Sequence, residues 1–248
     1  MKSDSEWFEN WFDSPYYPIL YQNRDEEEAS FFLEGLFDHL FDPKGKKVLD
    51  LACGKGRYSR KLNQLGCQTF GFDLSSRRIA EAKSLSSPDI DFRLHDMRLP
   101  FPVRDFDLIL NLFTSFGYFS TLEENEAVLR HCYEALLPGA YFILDYLNVS
   151  FISRNLITEE SKSIREIDFQ IRRYIEGEKI FKEIKINDRE DRLTFVERIQ
   201  AFREKELKKL LNSCGFHIKK TWGNYQGHPF HPLHSPRLVI FSQKLLPE

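Results

Sequence analysis

Apolar residues recur with two different spacings along this chain of 248 residues. In residues 25–41, Phe32, Leu33, Leu36, Phe37, Leu40 and Phe41 share one helical face behind an acidic first turn, and Pro43 with Gly45 ends the helix. Residues 46–52 then read as a short apolar strand, and Tyr58, Leu62 and Leu65 lie on a helical face that Gly66 closes. The unit repeats in kind. A strand at 68–74 precedes a helix capped by Ser75 or Ser76 and running through Leu85, and strands follow at 90–96 and 106–113. Thr121 and Glu124 form a capping-box pattern for a helix that Pro138 and Gly139 stop, and residues 140–148 supply a fifth strand. Such alternation predicts an α/β fold with a doubly wound, mostly parallel sheet covered on both faces. Ligands are expected at the C-terminal ends of its strands.

After residue 148 the period changes. Residues 166–175, 179–187 and 192–200 alternate apolar with polar and are separated by turn sequences, which predicts an inserted antiparallel sheet. Helical spacing returns at Leu207, Leu210, Leu211 and Cys214 with Gly215 as the stop, and strands at 217–225 and 237–244 bring the main sheet to seven.

Composition narrows the classes. Thirty-five Lys and Arg against thirty-eight Asp and Glu give a net charge of -3, so a general electrostatic grip on nucleic acid is not expected. The longest mostly apolar run, residues 108–119, is short of the roughly 18 residues that span a bilayer, so no membrane partner is expected. The acidic, aromatic N-terminus lacks the pattern of a secretory signal, and a cytoplasmic address is the expectation. Cys53, Cys67, Cys132 and Cys214 form no C-x-x-C pair, which argues against a disulfide framework and a zinc site. Aromatic residues reach 15%, with 23 Phe, an excess that asks where the rings are used.

Gly54 and Gly56 follow a strand and precede a helix, where glycine lets a ligand approach the backbone. Asp73 ends the next strand, in position to accept hydrogen bonds from ribose hydroxyls. A dinucleotide site would share these features. However, the third position of G-x-G-x-x-G is Ser59, so the close helix approach that seats a pyrophosphate is not indicated and an NAD-dependent oxidoreductase is disfavoured.

Asp50 stands four residues before Gly54 in a D-x-x-x-G-x-G pattern, Asp96 and Met97 end the third strand, and Asn111, Leu112 and Phe113 end the fourth. With these residues in this order, the chain resembles the class I S-adenosylmethionine-dependent methyltransferases over about residues 46–148. The resemblance implies S-adenosylmethionine as cofactor. Asp50 suits its ammonium and sulfonium, Asp73 its ribose, Asp96 the adenine amino group and Met97 the ring. Cofactor and substrate are expected to meet at Asn111, Leu112 and Phe113. The same resemblance brings Ala52, Cys53, Gly54, Gly56, Arg57 and Leu74 against the cofactor, although the small Cys53 suits packing better than reactivity. Before the first helix, Tyr21 and Arg24 can close over the cofactor, Arg24 offering a fork to its carboxylate. The alternative is that Tyr16, Tyr17 and Tyr21 only staple this arm to the domain.

In this family the loop joining the last two strands rises on the cofactor side, which here is residues 223–237 with His228, His231 and His234. Interspersed prolines favour an extended chain that would set the three rings along one edge, so a metal site is disfavoured. These histidines and Tyr118 are the candidates for a general base. Phe113, Phe116, Tyr118 and Phe119 could face a sulfonium or cationic amine, or fill the core. The organisation implied is an arm and helix over the cleft at 1–45, a cofactor-binding domain at 46–148 and 203–248, and an insertion at 149–202. The insertion reads as a lid or a homodimer sheet, with Arg172, Arg173, Lys182 and Lys185 on a solvated face. Direct in-line methyl transfer to a nitrogen or oxygen nucleophile of a small molecule is the activity implied. RNA or protein acceptors, or cofactor binding without catalysis, are the alternatives.

Overall fold

The computed structural model describes residues 7–22 and 26–246. Two short helices, α1 (Trp7–Phe12) and α2 (Tyr16–Leu20), precede α3 (Glu26–Phe37). There follow β1 (Lys47–Leu51), α4 (Arg57–Gln64), β2 (Gln68–Asp73), α5 (Ser76–Leu85), β3 (Asp91–Leu94), β4 (Phe106–Asn111), α6 (Leu122–Ala135) and β5 (Leu136–Leu147). Next come α7 (Val149–Arg154), β6 (Glu159–Ile164), β7 (Ile167–Glu176), β8 (Lys179–Asp188) and β9 (Asp191–Gln200). The chain closes with α8 (Glu204–Ser213), β10 (Phe216–Trp222) and β11 (Arg237–Lys244).

The main sheet has seven strands in the order β10-β11-β5-β4-β1-β2-β3. All neighbours pair in parallel except β11, which runs antiparallel to both β5 and β10. Because side chains alternate along a strand, the two faces build separate cores. Leu49, Leu51 and Ile109 pack with Val128, Leu129, Leu207 and Leu211 under α6 and α8. Val48, Leu108 and Leu110 pack with Phe32, Leu36 and Leu62 of α3 and α4. Strand order reverses at β1, which pairs β2 on one side and β4 on the other, so a crevice opens beyond the C-terminal ends of these strands.

The second sheet, β6-β7-β8-β9, is antiparallel throughout. Phe169, Ile171, Ile184 and Ile186 on one of its faces enclose Trp11, Tyr16 and Leu20, so α1 and α2 lie against this sheet while α3 covers the main one. Its last strand is tied to the rim after β4: Gln200 donates its amide to the Gly117 carbonyl at 2.8 Å, and the Tyr146 hydroxyl donates to the Gln200 carbonyl.

Four expectations need correction. The helix before β1 ends at Phe37, so Leu40 and Phe41 lie beyond it, in and after a turn closed by the His39 and Leu40 amides on the Leu36 and Phe37 carbonyls. The helix after Thr121 ends at Ala135, not at Pro138, because Leu136 already pairs with Phe106; Pro138 and Gly139 fall inside the register shift that separates that pair from Leu108 with Tyr141. The insertion has four strands and a leading helix: β6 is an edge strand whose mostly polar residues carry no alternation, and Asn148 caps α7 by accepting from the Ser150 amide. Lys182 is not on a solvated face, since its side chain is 13% exposed and meets the Tyr21 hydroxyl.

Gly117 shows how tightly the two sheets are joined. Its φ is +86°, and a Cβ there would lie 2.6 Å from the Tyr146 hydroxyl. Gly117→Ala is therefore expected to destabilise the protein by about 1–3 kcal/mol. Urea unfolding should show a lower midpoint with little change in slope.

Candidate functional site

The crevice at the strand reversal is a cavity of about 600 Å³, within the range of small-molecule sites. Its floor comes from the loops after β1, β2, β3 and β4, and Phe8, Phe12, Tyr17 and Tyr21 of the arm cover it. Ile152 of α7 and Glu197 and Ile199 of β9 complete the wall.

The loop after β1 is fixed to the end of β2 by two bonds. The Cys53 amide donates to the Phe72 carbonyl at 3.0 Å, and the Gly54 amide to Asp73 Oδ2 at 2.8 Å. Ala52 lines the cavity with a φ of +64°, a conformation uncommon for a residue with a Cβ. Cys53 lines it too, but burial pushes its thiol well above the ordinary value, so it is no thiolate nucleophile. Gly56 does not reach the cavity: it starts α4 at φ +74°, and a Cβ there would lie 2.6 Å from Phe92 Cζ. Its lack of a side chain serves packing. Arg57 lines the cavity, pairs with Glu28 at 3.2 Å and lies over the Phe113 and Tyr58 rings.

Asp50 is buried on β1 and accepts from Ser59 Oγ at 2.6 Å. Burial raises its carboxyl to about 6, with the Ser59 bond opposing the shift and the nearby Asp73 charge adding to it. Ser59, visible in the sequence only as a missing glycine, is thus the fixed partner of Asp50. Asp73 accepts from the Ser75 amide at 2.9 Å as well as from Gly54, and burial raises its carboxyl despite both bonds. Leu74 lies beside it on the cavity wall.

Asp96 and Met97 line the third corner. Burial would raise Asp96, but the Arg98 guanidinium and amide outweigh it and hold the carboxyl below its ordinary range. Arg98 also pairs with Glu124 at 2.9 Å, so α6 steadies this corner.

At the end of β4, Leu112 and Phe113 face the cavity, whereas Asn111 does not. The Asn111 side chain is fully buried and donates to the Leu51 carbonyl at 3.2 Å, because its place in the strand directs it between β4 and β1. Tyr21 and Tyr118 line the cleft, Tyr118 among Trp7, Phe8 and Phe12. Arg24 lies outside the described residues.

The structure does not bring the three histidines to the cleft. His228, His231 and His234 are exposed and absent from its wall. The chain there turns instead of extending: the Ser235 amide donates to the His231 carbonyl at 3.0 Å, and the His231 and His234 rings approach to 4.5 Å. Among the described residues no group of three or more His, Cys, Asp or Glu could hold a metal ion.

Sequence reasoning missed two polar centres. Asp145, fully buried on β5, accepts from the Phe113 amide at 2.8 Å, the Tyr225 hydroxyl at 2.7 Å and Arg237 Nε at 2.8 Å. An aspartate inside an otherwise apolar strand was the available signal. On the opposite wall, Glu197 Oε1 accepts from Trp11 Nε1 and from the Tyr21 hydroxyl, each at 2.6 Å. Ordinary strand alternation concealed it.

Residues 48–139 match the family model described as a methyltransferase domain. A dTDP-3-amino-3,4,6-trideoxy-alpha-D-glucopyranose N,N-dimethyltransferase of Streptomyces venezuelae is 25% identical over 136 residues, 52% of this chain and 57% of the relative. A ubiquinone biosynthesis O-methyltransferase of Xanthomonas axonopodis pv. citri is 30% identical over 116 residues, 43% of this chain and 45% of the relative. The chain thus spans about half the length of the curated relatives it matches. Among solved structures, an S-adenosylmethionine-dependent methyltransferase from Clostridium acetobutylicum superposes with a TM-score of 0.79 at 20% identity, covering 96% of this chain and 99% of that one. An S-adenosylmethionine-bound amino pentose methyltransferase from Micromonospora echinaspora gives 0.69 at 18% identity, covering 93% and 97%. The chain therefore shares its fold, over nearly the whole length of both partners, with these S-adenosylmethionine-dependent methyltransferases.

The buried Asp50 carboxyl makes stability depend on pH. Folded, it keeps its proton up to about pH 6, while an ordinary aspartate releases it near 3.8. Between those values the folded state binds more protons, so stability from this residue falls as pH rises through the window. Asp50→Asn escapes the loss. Its stability relative to the wild type is expected to climb by about 1–3 kcal/mol from pH 4 to pH 6.5 and then level off, as read by denaturant unfolding at each pH.

Proposed function

We propose that this chain, carrying a methyltransferase domain, transfers a methyl group from S-adenosylmethionine to a nitrogen or oxygen nucleophile of a small molecule. The observation that carries the reading is Asp50, a buried carboxylate on the cavity wall with no lysine or arginine in ion-pair reach among the described residues. A carboxylate so placed is costly as an anion until a cation arrives, and the cofactor's ammonium group is one. Asp73 fits the same ligand. Each of its oxygens accepts one backbone amide, leaving lone pairs for sugar hydroxyls. Met97 and Leu74 offer apolar surface to a base, and Asp96 an acceptor for its amino group.

When bound, the cofactor supplies a methyl group activated by attachment to a positively charged sulfur. The protein's task is alignment, because an in-line displacement gains chiefly from positioning. Leu112, Phe113 and Thr114 would set the floor between cofactor and acceptor, with Tyr118 and Ile199 shaping the acceptor space. The arm and β9 exclude water from above. A neutral amine can attack without a base. For a hydroxyl, or for proton removal after transfer, Glu197 and Tyr118 are the polar side chains at hand.

A roofed cavity of about 600 Å³ supports a small acceptor over a polymer. The named relatives support it too, since one acts on an amino sugar nucleotide and another belongs to ubiquinone biosynthesis. We assign the second sheet the role of lid, on the strength of the residues it places over the cleft.

Thermal-shift measurement is expected to show stabilisation by S-adenosylmethionine and S-adenosylhomocysteine and none by NAD(H). The reverse pattern would overturn the reading. Asp73→Ala should weaken S-adenosylhomocysteine binding about tenfold or more in calorimetry with the unfolding midpoint largely kept. Replacing His228, His231 and His234 together by alanine should leave that affinity within about twofold, since none touches the cleft.

A further inference from the structure

Arg78 stands on the first turn of α5, is 6% exposed and lines the cavity. Its Nε donates to the Phe12 carbonyl at 2.8 Å, and its guanidinium lies 4.5 Å over the Tyr17 ring. Nη2 is buried without a hydrogen-bond partner among the described residues. Nη1 stands at the glycine loop, 3.7 Å from where a Cβ on Gly54 would sit. The Gly54 amide is bonded to Asp73, and Arg78 reaches Asp73 through space without bonding to it. An acceptor-only carboxylate and a donor-only guanidinium therefore flank one corner of the cleft, with the guanidinium short of partners.

The group that completes this corner must donate to Asp73 and accept from Arg78. A vicinal diol does both, because each hydroxyl gives its proton to one side and offers its oxygen lone pairs to the other. A carboxylate would satisfy Arg78 but would be repelled by Asp73. We infer that Arg78 binds the sugar diol of the cofactor, donating to the hydroxyl oxygens whose protons Asp73 takes. The inference rests on the cofactor proposed above.

The same turn of α5 holds the arm. Arg78 takes the Phe12 carbonyl, Arg77 Nη2 donates to the Ser14 carbonyl at 3.0 Å, and the Ser75 hydroxyl donates to Asp13. The guanidinium that meets the sugar thus also fixes the cover above it.

Calorimetry on the full chain distinguishes the sugar from its rivals with three probes: S-adenosylhomocysteine, 5′-methylthioadenosine, which keeps the diol but lacks the amino-acid tail, and 2′,3′-dideoxy-5′-methylthioadenosine. Arg78→Met is expected to weaken the first two about tenfold or more and to leave the third within about twofold of the wild type. Equal loss on all three would overturn the inference and leave Arg78 a holder of the arm. A loss confined to S-adenosylhomocysteine would overturn it in favour of the carboxylate. If the wild type binds none of the three, the cofactor reading fails and this one with it, an outcome distinct from the others. Should Arg78→Met not fold, Arg78→Lys, which keeps the charge but loses the planar fork, is expected to show the same diol-dependent pattern with a smaller loss.

Discussion

One buried carboxylate organises the wall of the cleft that follows β4. Asp145 is fully buried and bonded to the Phe113 amide, the Tyr225 hydroxyl and the Arg237 guanidinium, while its own carbonyl accepts the Thr114 amide at 3.0 Å. Arg237 returns to Thr114 Oγ1 at 3.0 Å. Phe113 and Thr114 have φ of +58° and +61°, a region costing side-chain-bearing residues about 1–3 kcal/mol each. Leaving one member of a buried ion pair without its partner costs about 3–5 kcal/mol, comparable to the strain of both residues together. The loop therefore keeps its unfavourable backbone only while Asp145 and Arg237 are both present. The shape of the floor after β4 depends on them, as does the position of Tyr225 in the hairpin loop.

Partner inventory, more than burial, separates this aspartate from those on β1 and β2. Asp145 has a guanidinium and two other donors. Asp50 has only the hydroxyl and backbone amide of Ser59, and Asp73 has only backbone amides. Burial raises the carboxyls of both Asp50 and Asp73. A fold that needed these acids only for stability would have given them cations, as it did Asp145. Two acids with unspent acceptor capacity at adjacent strand ends form a site that favours ligand groups bearing positive charge or hydroxyl protons. It is poorly suited to a pyrophosphate.

What could be read in the sequence divides along physical lines. Local patterns with one dominant cause were legible: the apolar period of α3 holds as far as Phe37, and the Thr121 and Glu124 box of α6 and the glycine loop before α4 stand where spacing put them. The strand-end acids could be located because a parallel sheet converts chain order into a row of adjacent tips. Features that depend on distant pairings were hidden. β6 carries no alternation of its own and exists as a strand because β7 lies beside it. Asn111 was misread because position at a strand end does not say which way the last side chain points, and here it turns to Leu51. The histidine loop was misread because prolines were weighed above the Ser235 side chain, which accepts the His231 amide at 2.8 Å and helps close a turn. Arg78 gave no signal at all, being one of two adjacent arginines on a helix.

Part of the chain's aromatic excess lies where the arm meets the rest of the molecule. α1 and α2 have six and five residues, far below the length at which an isolated helix holds in water. Their structure must come from their surroundings. Trp11 and Tyr16 are enclosed by the apolar face of the second sheet, Phe8 packs with Phe119 in the main core, and Phe12 and Tyr17 meet ring to ring. Polar ties come from both sides, Glu197 of β9 holding Trp11 and Tyr21 and the first turn of α5 holding residues 12–14. The cover of the cleft is thus conditional on the second sheet as well as on the main domain. A disturbance that loosens β9 removes partners from α1 and α2 together, and helices this short have no reserve of local stability with which to remain closed.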